Sequence, residues 1–171
     1  MKLINLSPLI LIITLSACSV NKVDINQQQP AWMHVNSQTK AVVFDLVAGF
    51  DGSNNAFNYN GYYAGGVTLR VPDGWTVEVM LTNRDANAPH NIIVTYPYRI
   101  DDMPNELTSG AAVLKRAYTD DVYDGQKESM RFVAKAGQYW LFCGIMGHGI
   151  NDMWINFEVS STLSTPEVKV K

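Results

Sequence analysis

An all-β domain, a sandwich or barrel of about eight strands, is the fold class this sequence predicts. Three observations carry that reading. Apolar and polar residues alternate in short runs, as in Val77-Glu78-Val79-Met80-Leu81-Thr82 and Trp154-Ile155-Asn156-Phe157-Glu158-Val159, and a period of two marks a strand with one buried face. Clusters of turn-forming residues separate the runs at short intervals. Twelve glycines, 11% aromatic and only 17% charged residues speak against disorder and against a helical bundle. At 171 residues the chain suits one domain whose core needs no disulfides.

Taken in chain order, residues 1–17 read as an address. Met1-Lys2 is a minimal positive start, and Leu3 to Leu15 is an apolar run of thirteen residues. That is short of the roughly 20 needed to span a bilayer and suits the core of a signal peptide. The next residues, Leu15-Ser16-Ala17-Cys18, resemble the lipobox of bacterial lipoproteins. The resemblance implies cleavage before Cys18 and acylation of its thiol and new amino group. Several acyl chains would hold the protein firmly to a membrane. Ser19 resembles the residue that permits sorting to an outer membrane, so the expected location is periplasmic or extracytoplasmic. An ordinary secretory signal with an incidental Cys18 is the alternative. Residues 18–39 read as the lipidated N-terminus and a polar tether, since Asn26-Gln27-Gln28-Gln29-Pro30 lacks any apolar period. His34 falls in this stretch as an exposed linker residue.

Residues 40–171 are the expected folded domain. Its candidate strands are Val42–Val47, Val67–Val71, Thr76–Thr82, Ile92–Tyr96, Ala112–Tyr118, Met130–Ala134, Tyr139–Phe142 and Trp154–Val159. Between them stand Asp51-Gly52-Ser53-Asn54-Asn55, Gly65-Gly66, Pro72-Asp73-Gly74, Asn87-Ala88-Pro89, Asp124-Gly125 and Ala136-Gly137, all strong turn signals. Residues 101–111 fit either a helical turn or a loop.

Composition also narrows the chemistry. Thirteen Lys and Arg against sixteen Asp and Glu give a net charge of −3, which argues against a nucleic-acid partner. With three histidines and two cysteines, a mechanism that needs a histidine cluster is close to excluded. The remaining chemistry lies in Pro89-His90-Asn91 and in Cys143-Gly144-Ile145-Met146-Gly147-His148-Gly149-Ile150-Asn151-Asp152-Met153. The second segment spaces Cys, His and Met as C-x4-H-x4-M between two strands. Two imidazoles, a thiolate and a thioether form a known ligand set, the trigonal His₂Cys copper site with a weak axial Met. Soft sulfur suits Cu(I) and imidazole suits Cu(II), so the mixture favours rapid one-electron exchange. Met146 is the rival thioether; the place of Met153 beside the final expected strand favours Met153. A free thiol in an oxidising compartment also calls for protection, which a bound metal gives.

The same residues carry a family resemblance. Phe57-Asn58-Tyr59-Asn60-Gly61 and Val71-Pro72-Asp73-Gly74-Trp75 resemble the FNFNG and VPxGW segments of the sulfocyanins, within the cupredoxins or type 1 blue copper proteins. Gly137-Gln138-Tyr139-Trp140-Leu141-Phe142-Cys143 resembles the strand that leads to the ligand cysteine, and the spacing of Cys143, His148 and Met153 is similar to that of the rusticyanins. The resemblance implies a Greek-key β-sandwich with one type 1 copper per chain. His90, Cys143 and His148 would be the equatorial ligands and Met153 the axial one. Asn91 would tie the ligand loops together near the sulfur and tune the reduction potential.

A carrier of single electrons needs a docking face and no small-molecule substrate. Ile145, Met146, Gly147, Gly149 and Ile150 surround His148 with small and apolar residues, the composition of a transient docking patch. His148, between two glycines, is expected to turn its outer ring edge to solvent. The expected partners are redox proteins such as a cytochrome or a terminal oxidase. Asp101-Asp102, Asp120-Asp121 and Asp124 could steer a basic one. A copper enzyme with further metal centres would need more histidines than His34 alone supplies. A periplasmic copper-carrier lipoprotein without a redox role is the competing reading.

Overall fold

Residues that alternate between core and solvent gain by pairing edge to edge and closing one face on another sheet. The computed structural model, which describes residues 29–171, places nine strands there in two sheets. They are β1 (Met33–Asn36), β2 (Ala41–Ala48), β3 (Val67–Pro72), β4 (Thr76–Asn83), β5 (Ile93–Thr95), β6 (Lys127–Val133), β7 (Gly137–Phe142), β8 (Trp154–Ser160) and β9 (Glu167–Val170). One sheet has the order β1-β2-β4-β6 and the other β5-β7-β8-β3-β9. The pairs β2–β4 and β3–β8 are parallel and the rest antiparallel. The expected all-β Greek-key sandwich is the fold found.

The inner faces supply the core. Phe44, Leu46, Val77, Val79, Leu81 and Phe132 of the first sheet meet Leu69, Val71, Leu141, Ile155 and Phe157 of the second, all buried. Each such side chain, fully buried, contributes roughly 1.5–3 kcal/mol. The outer face of the second sheet is covered as well. Trp140 of β7 stacks on Trp154 of β8 with ring centroids 3.8 Å apart. Phe142 joins them, and Tyr98, Met103 and Leu107 close over the cluster. Residues 101–111 are therefore a covering loop with two short 3₁₀ turns, Ile100–Asp102 and Ser109–Ala111.

Two expectations are corrected. The tether was expected to run through residue 39, but residues 33–36 form β1, which pairs with β2 in the register Met33↔Phe44 to Asn36↔Ala41. Met33 is 3% exposed, so one buried thioether anchors a short edge strand in an otherwise polar stretch. Residues 112–118 do not form a strand. Val113 donates its N–H to the Val94 carbonyl and Val94 donates to Ala117, while Arg116 between them sits at φ 61°. A left-handed residue turns the chain out of an extended ladder. Edge strand β9 was not anticipated.

Candidate metal centre

The centre lies where β4 and β7 end. Beyond β4 the chain must reverse in a few residues, and Asn83, fully buried, organises the reversal. Its amide Nδ2 donates to the carbonyls of Ala88 and Val122, both at 2.8 Å, and its Oδ1 accepts the Asp85 N–H at 2.7 Å. This fixes His90, whose N–H and C=O pair with Val122 at 3.0 and 2.8 Å. Cys143 follows β7 directly. The loop after it turns through Gly147 at φ 83°, His148, the 3₁₀ turn Gly149–Asn151 and Asp152 at φ 68° before Met153 leads into β8.

Three donor atoms converge. His148 Nδ1 lies 3.1 Å from His90 Nδ1 and 3.5 Å from Cys143 Sγ, and His90 Nδ1 lies 4.0 Å from that sulfur. The three side chains are buried, at 0% exposure for His90 and Cys143 and 7% for His148. Met153 is fully buried, and its backbone is held at both ends. Cys143 donates to the Met153 carbonyl at 3.0 Å, and Met153 donates to the His148 carbonyl at 3.1 Å. Met146, the rival thioether, is 62% exposed and faces solvent. Asn91 Oδ1 accepts the Gly144 N–H at 2.7 Å, and its Nδ2 donates to Asp121 at 2.8 Å. That side chain therefore bridges the segment of His90 to the segment of Cys143.

Three further residues complete the surroundings. Asp85 Oδ2 lies 3.1 Å from His90 Nε2, the outer nitrogen of that ring. The Phe57 ring stacks on His148 with centroids 4.2 Å apart. Tyr59, fully buried, donates its hydroxyl to the Asn91 carbonyl at 2.5 Å. Sequence reasoning assigned none of the three to the centre. The Asn83-x-Asp85-x-Asn87 turn five residues before His90 was the available signal for Asp85.

The electrostatics suit a cation. Burial pushes the Cys143 thiol up to about 11. Burial and the nearby His90 ring push His148 down to about 4. His90 is lowered by burial, against the pull of Asp85. Without metal the thiol is therefore protonated at neutral pH and both imidazoles are neutral, with lone pairs free. A metal that binds must displace the thiol proton. Asp85 stays below the usual carboxylate range: burial works to raise it, but the Asn87 N–H and His90 prevail.

Only some residues of the expected docking patch are exposed. Met146 and Ile150 are exposed, at 62% and 46%, with Gly147 half-buried between them. Ile145 is half-buried against the core, and Gly149 is buried. A Cβ at Gly149 would fall 1.8 Å from the Phe142 ring, so that glycine serves packing rather than contact. The His148 ring, expected to reach solvent, is stacked under Phe57 and almost wholly enclosed. His34 is exposed on β1 and pairs with Asp45 at 2.8 Å. Cys18 lies outside the described residues.

A thiol and two imidazoles within 4.8 Å of one another fit a thiolate-ligated transition metal. Solved structures of similar fold include auracyanin A, a "blue" copper protein of Chloroflexus aurantiacus, with a TM-score of 0.50 at 16% identity. That match covers 70% of this chain and 99% of auracyanin A. Another is the copper protein rusticyanin, with a TM-score of 0.51 at 19% identity over 75% of this chain and 87% of rusticyanin. Sulfocyanin of Sulfolobus acidocaldarius is 27% identical over 139 residues, 77% of this chain and 69% of the relative. Residues 28–170 match the model of the sulfocyanin (SoxE) domain. With the cysteine and both histidines gathered at one end of a two-sheet sandwich, and that match spanning the folded residues, the chain belongs to the sulfocyanin family of cupredoxins.

Proposed function

We propose that this chain carries single electrons on one copper ion held by His90, Cys143, His148 and Met153, tethered to a membrane through Cys18. The convergence of the two Nδ1 atoms and Sγ in a buried pocket carries the reading. Copper bound there supplies an exchangeable electron by cycling between Cu(II) and Cu(I). The protein supplies rigidity. Asn91 clamps the two ligand segments, Asp85 holds the far edge of His90, and Phe57 covers His148. Donors that cannot move fit neither oxidation state fully, so little rearrangement accompanies transfer.

Redox partners would dock where Met146 and Ile150 project beside His148. An acidic groove lined by Glu106, Asp120 and Asp121 flanks Asn91 and Gly144 and would steer a basic cytochrome or oxidase surface. Cupredoxins are electron carriers rather than catalysing enzymes. The lipobox-like residues before Cys18 support the anchor and an extracytoplasmic location.

Loading the metal-free protein with Cu(II) tests the function. The expected result is an intense thiolate-to-Cu(II) band that bleaches reversibly on reduction and is absent in Cys143→Ala. A colourless protein that binds only Cu(I) would instead mark a copper carrier. For the anchor, Cys18→Ser expressed in a lipoprotein-processing host should move the protein from the membrane fraction to the soluble one.

A further inference from the structure

Asp85 is a carboxylate built into the interior, and one of its two oxygens faces the outer nitrogen of His90, a proposed metal ligand. Its side chain is 6% exposed and His90 is 0% exposed. Three features hold it there. Asn83 Oδ1 accepts its N–H at 2.7 Å, and its own Oδ1 accepts the Asn87 N–H at 2.9 Å. The end of β2 closes over it through Gly49, at φ 61°, where a Cβ would stand 2.8 Å from the Asp85 Cβ and backbone nitrogen. Only glycine permits that approach. With Oδ1 satisfied, Oδ2 faces His90 Nε2 at 3.1 Å.

A carboxylate so placed does two things. It accepts a hydrogen bond from Nε2–H, which holds the proton on Nε2 and leaves the Nδ1 lone pair free and aimed toward Cys143. It also places a fixed negative charge one imidazole away from the bound ion, in surroundings that screen it poorly. Negative charge stabilises a doubly charged ion more than a singly charged one. His148, the other imidazole, is flanked by the Phe57 ring instead, so the two histidines are electronically unlike.

We propose that Asp85 is a positioning residue that also sets the reduction potential of the centre: it locks the His90 ring and favours the oxidised over the reduced ion. The proposal rests on the copper reading above. The test uses the full chain, copper-loaded, as wild type, Asp85→Asn and Asp85→Ala, in spectroelectrochemical titration. Asp85→Asn retains an acceptor for Nε2–H and removes the charge. It should keep the charge-transfer band and shift the balance of oxidised to reduced protein at fixed ambient potential about tenfold toward reduced. Asp85→Ala should lower Cu(II) affinity about 10–100-fold. A well-folded Asp85→Asn with the wild-type potential would overturn the proposal while leaving the copper reading intact. Failure of the wild type to take up copper would overturn both. Should Asp85→Asn not fold, nitrogen NMR of the metal-free wild type decides. His90 must then be the Nε2–H tautomer, and an Nδ1–H tautomer sinks the idea.

Discussion

Cys143 and His148 touch, yet burial drives their titrations in opposite directions, and this sets how the metal-free protein answers to pH. The thiol stays protonated up to about 11 against an ordinary 9.0; the imidazole stays neutral down to about 4 against 6.5. For His148 the unfolded chain binds the proton first. Its contribution to stability is thus complete above 6.5 and lost as pH falls toward 4, about 3 kcal/mol in all. For Cys143 the folded state holds the proton longer. That contribution is complete below 9.0 and lost as pH rises toward 11. Denaturant unfolding of the metal-free protein should therefore show a stability plateau between these limits, with the acid limb flattened in His148→Gln. Copper uptake should release the thiol proton, so Cu(II) affinity rises about tenfold per pH unit across the neutral range. A pH-independent affinity would show that Cys143 is no ligand. Asn91→Ala should leave copper bound but shift its potential, since the clamp from Gly144 to Asp121 is lost. An unchanged potential in a folded variant would remove Asn91 from the tuning of the site.

At the scale of elements, the loop from Cys143 to Met153 works because two glycines let it lie flat on its neighbours. A Cβ at Gly144 would stand 2.6 Å from the Leu107 carbonyl and from Ile93, and one at Gly149 would enter the Phe142 ring. Gly149→Ala should therefore lower stability by about 3 kcal/mol and broaden the copper signals, measured by unfolding and by electron paramagnetic resonance. Wild-type behaviour would mean the loop can lift from Phe142. The sequence displayed seven of the nine strands, some through alternation that reflects burial on one face and others, such as β5 and β7, through short apolar runs buried on both. It concealed β1 and β9 because edge strands carry His34, Asn36, Glu167 and Lys169 outward, and charge on an edge looks like a loop. Residues 112–118 are apolar at both ends, Ala112-Val113-Leu114 and Ala117-Tyr118, and the turn between them is made by the left-handed Arg116. The candidate donors were legible because Cys and His are scarce here and Cys143, His148 and Met153 lie within one short segment. Asp85, Phe57 and Tyr59 were not, since an aspartate in a turn and aromatic residues in a loop have no local mark of what they meet across the fold.

The whole molecule brings its proposed ligands from separate parts of the chain. His90 follows β4 of the first sheet, while Cys143 and Met153 flank β7 and β8 of the second. The exposed Met146 and Ile150 lie on this same end, so Met146→Lys with Ile150→Lys should slow electron exchange with a cytochrome at least tenfold and leave the visible spectrum unchanged. Equal rates would place docking elsewhere. A bound ion also acts as a cross-link between the sheets, and anything that binds only the folded state stabilises it by mass action. At free copper about a thousandfold above Kd, the gain is about 4 kcal/mol. In a domain of this size each kcal/mol raises Tm by about 2–4 °C. The copper-loaded protein should then melt about 8–16 °C above the metal-free one, by calorimetry near neutral pH. Cys143→Ala should lose most of that increment while its metal-free Tm stays near the wild-type value, because a small apolar side chain fits where the protonated thiol lay. If copper raised Tm equally in that variant, the ion would be stabilising the fold from some other site, and the bridge between the sheets through Cys143 would have to be abandoned.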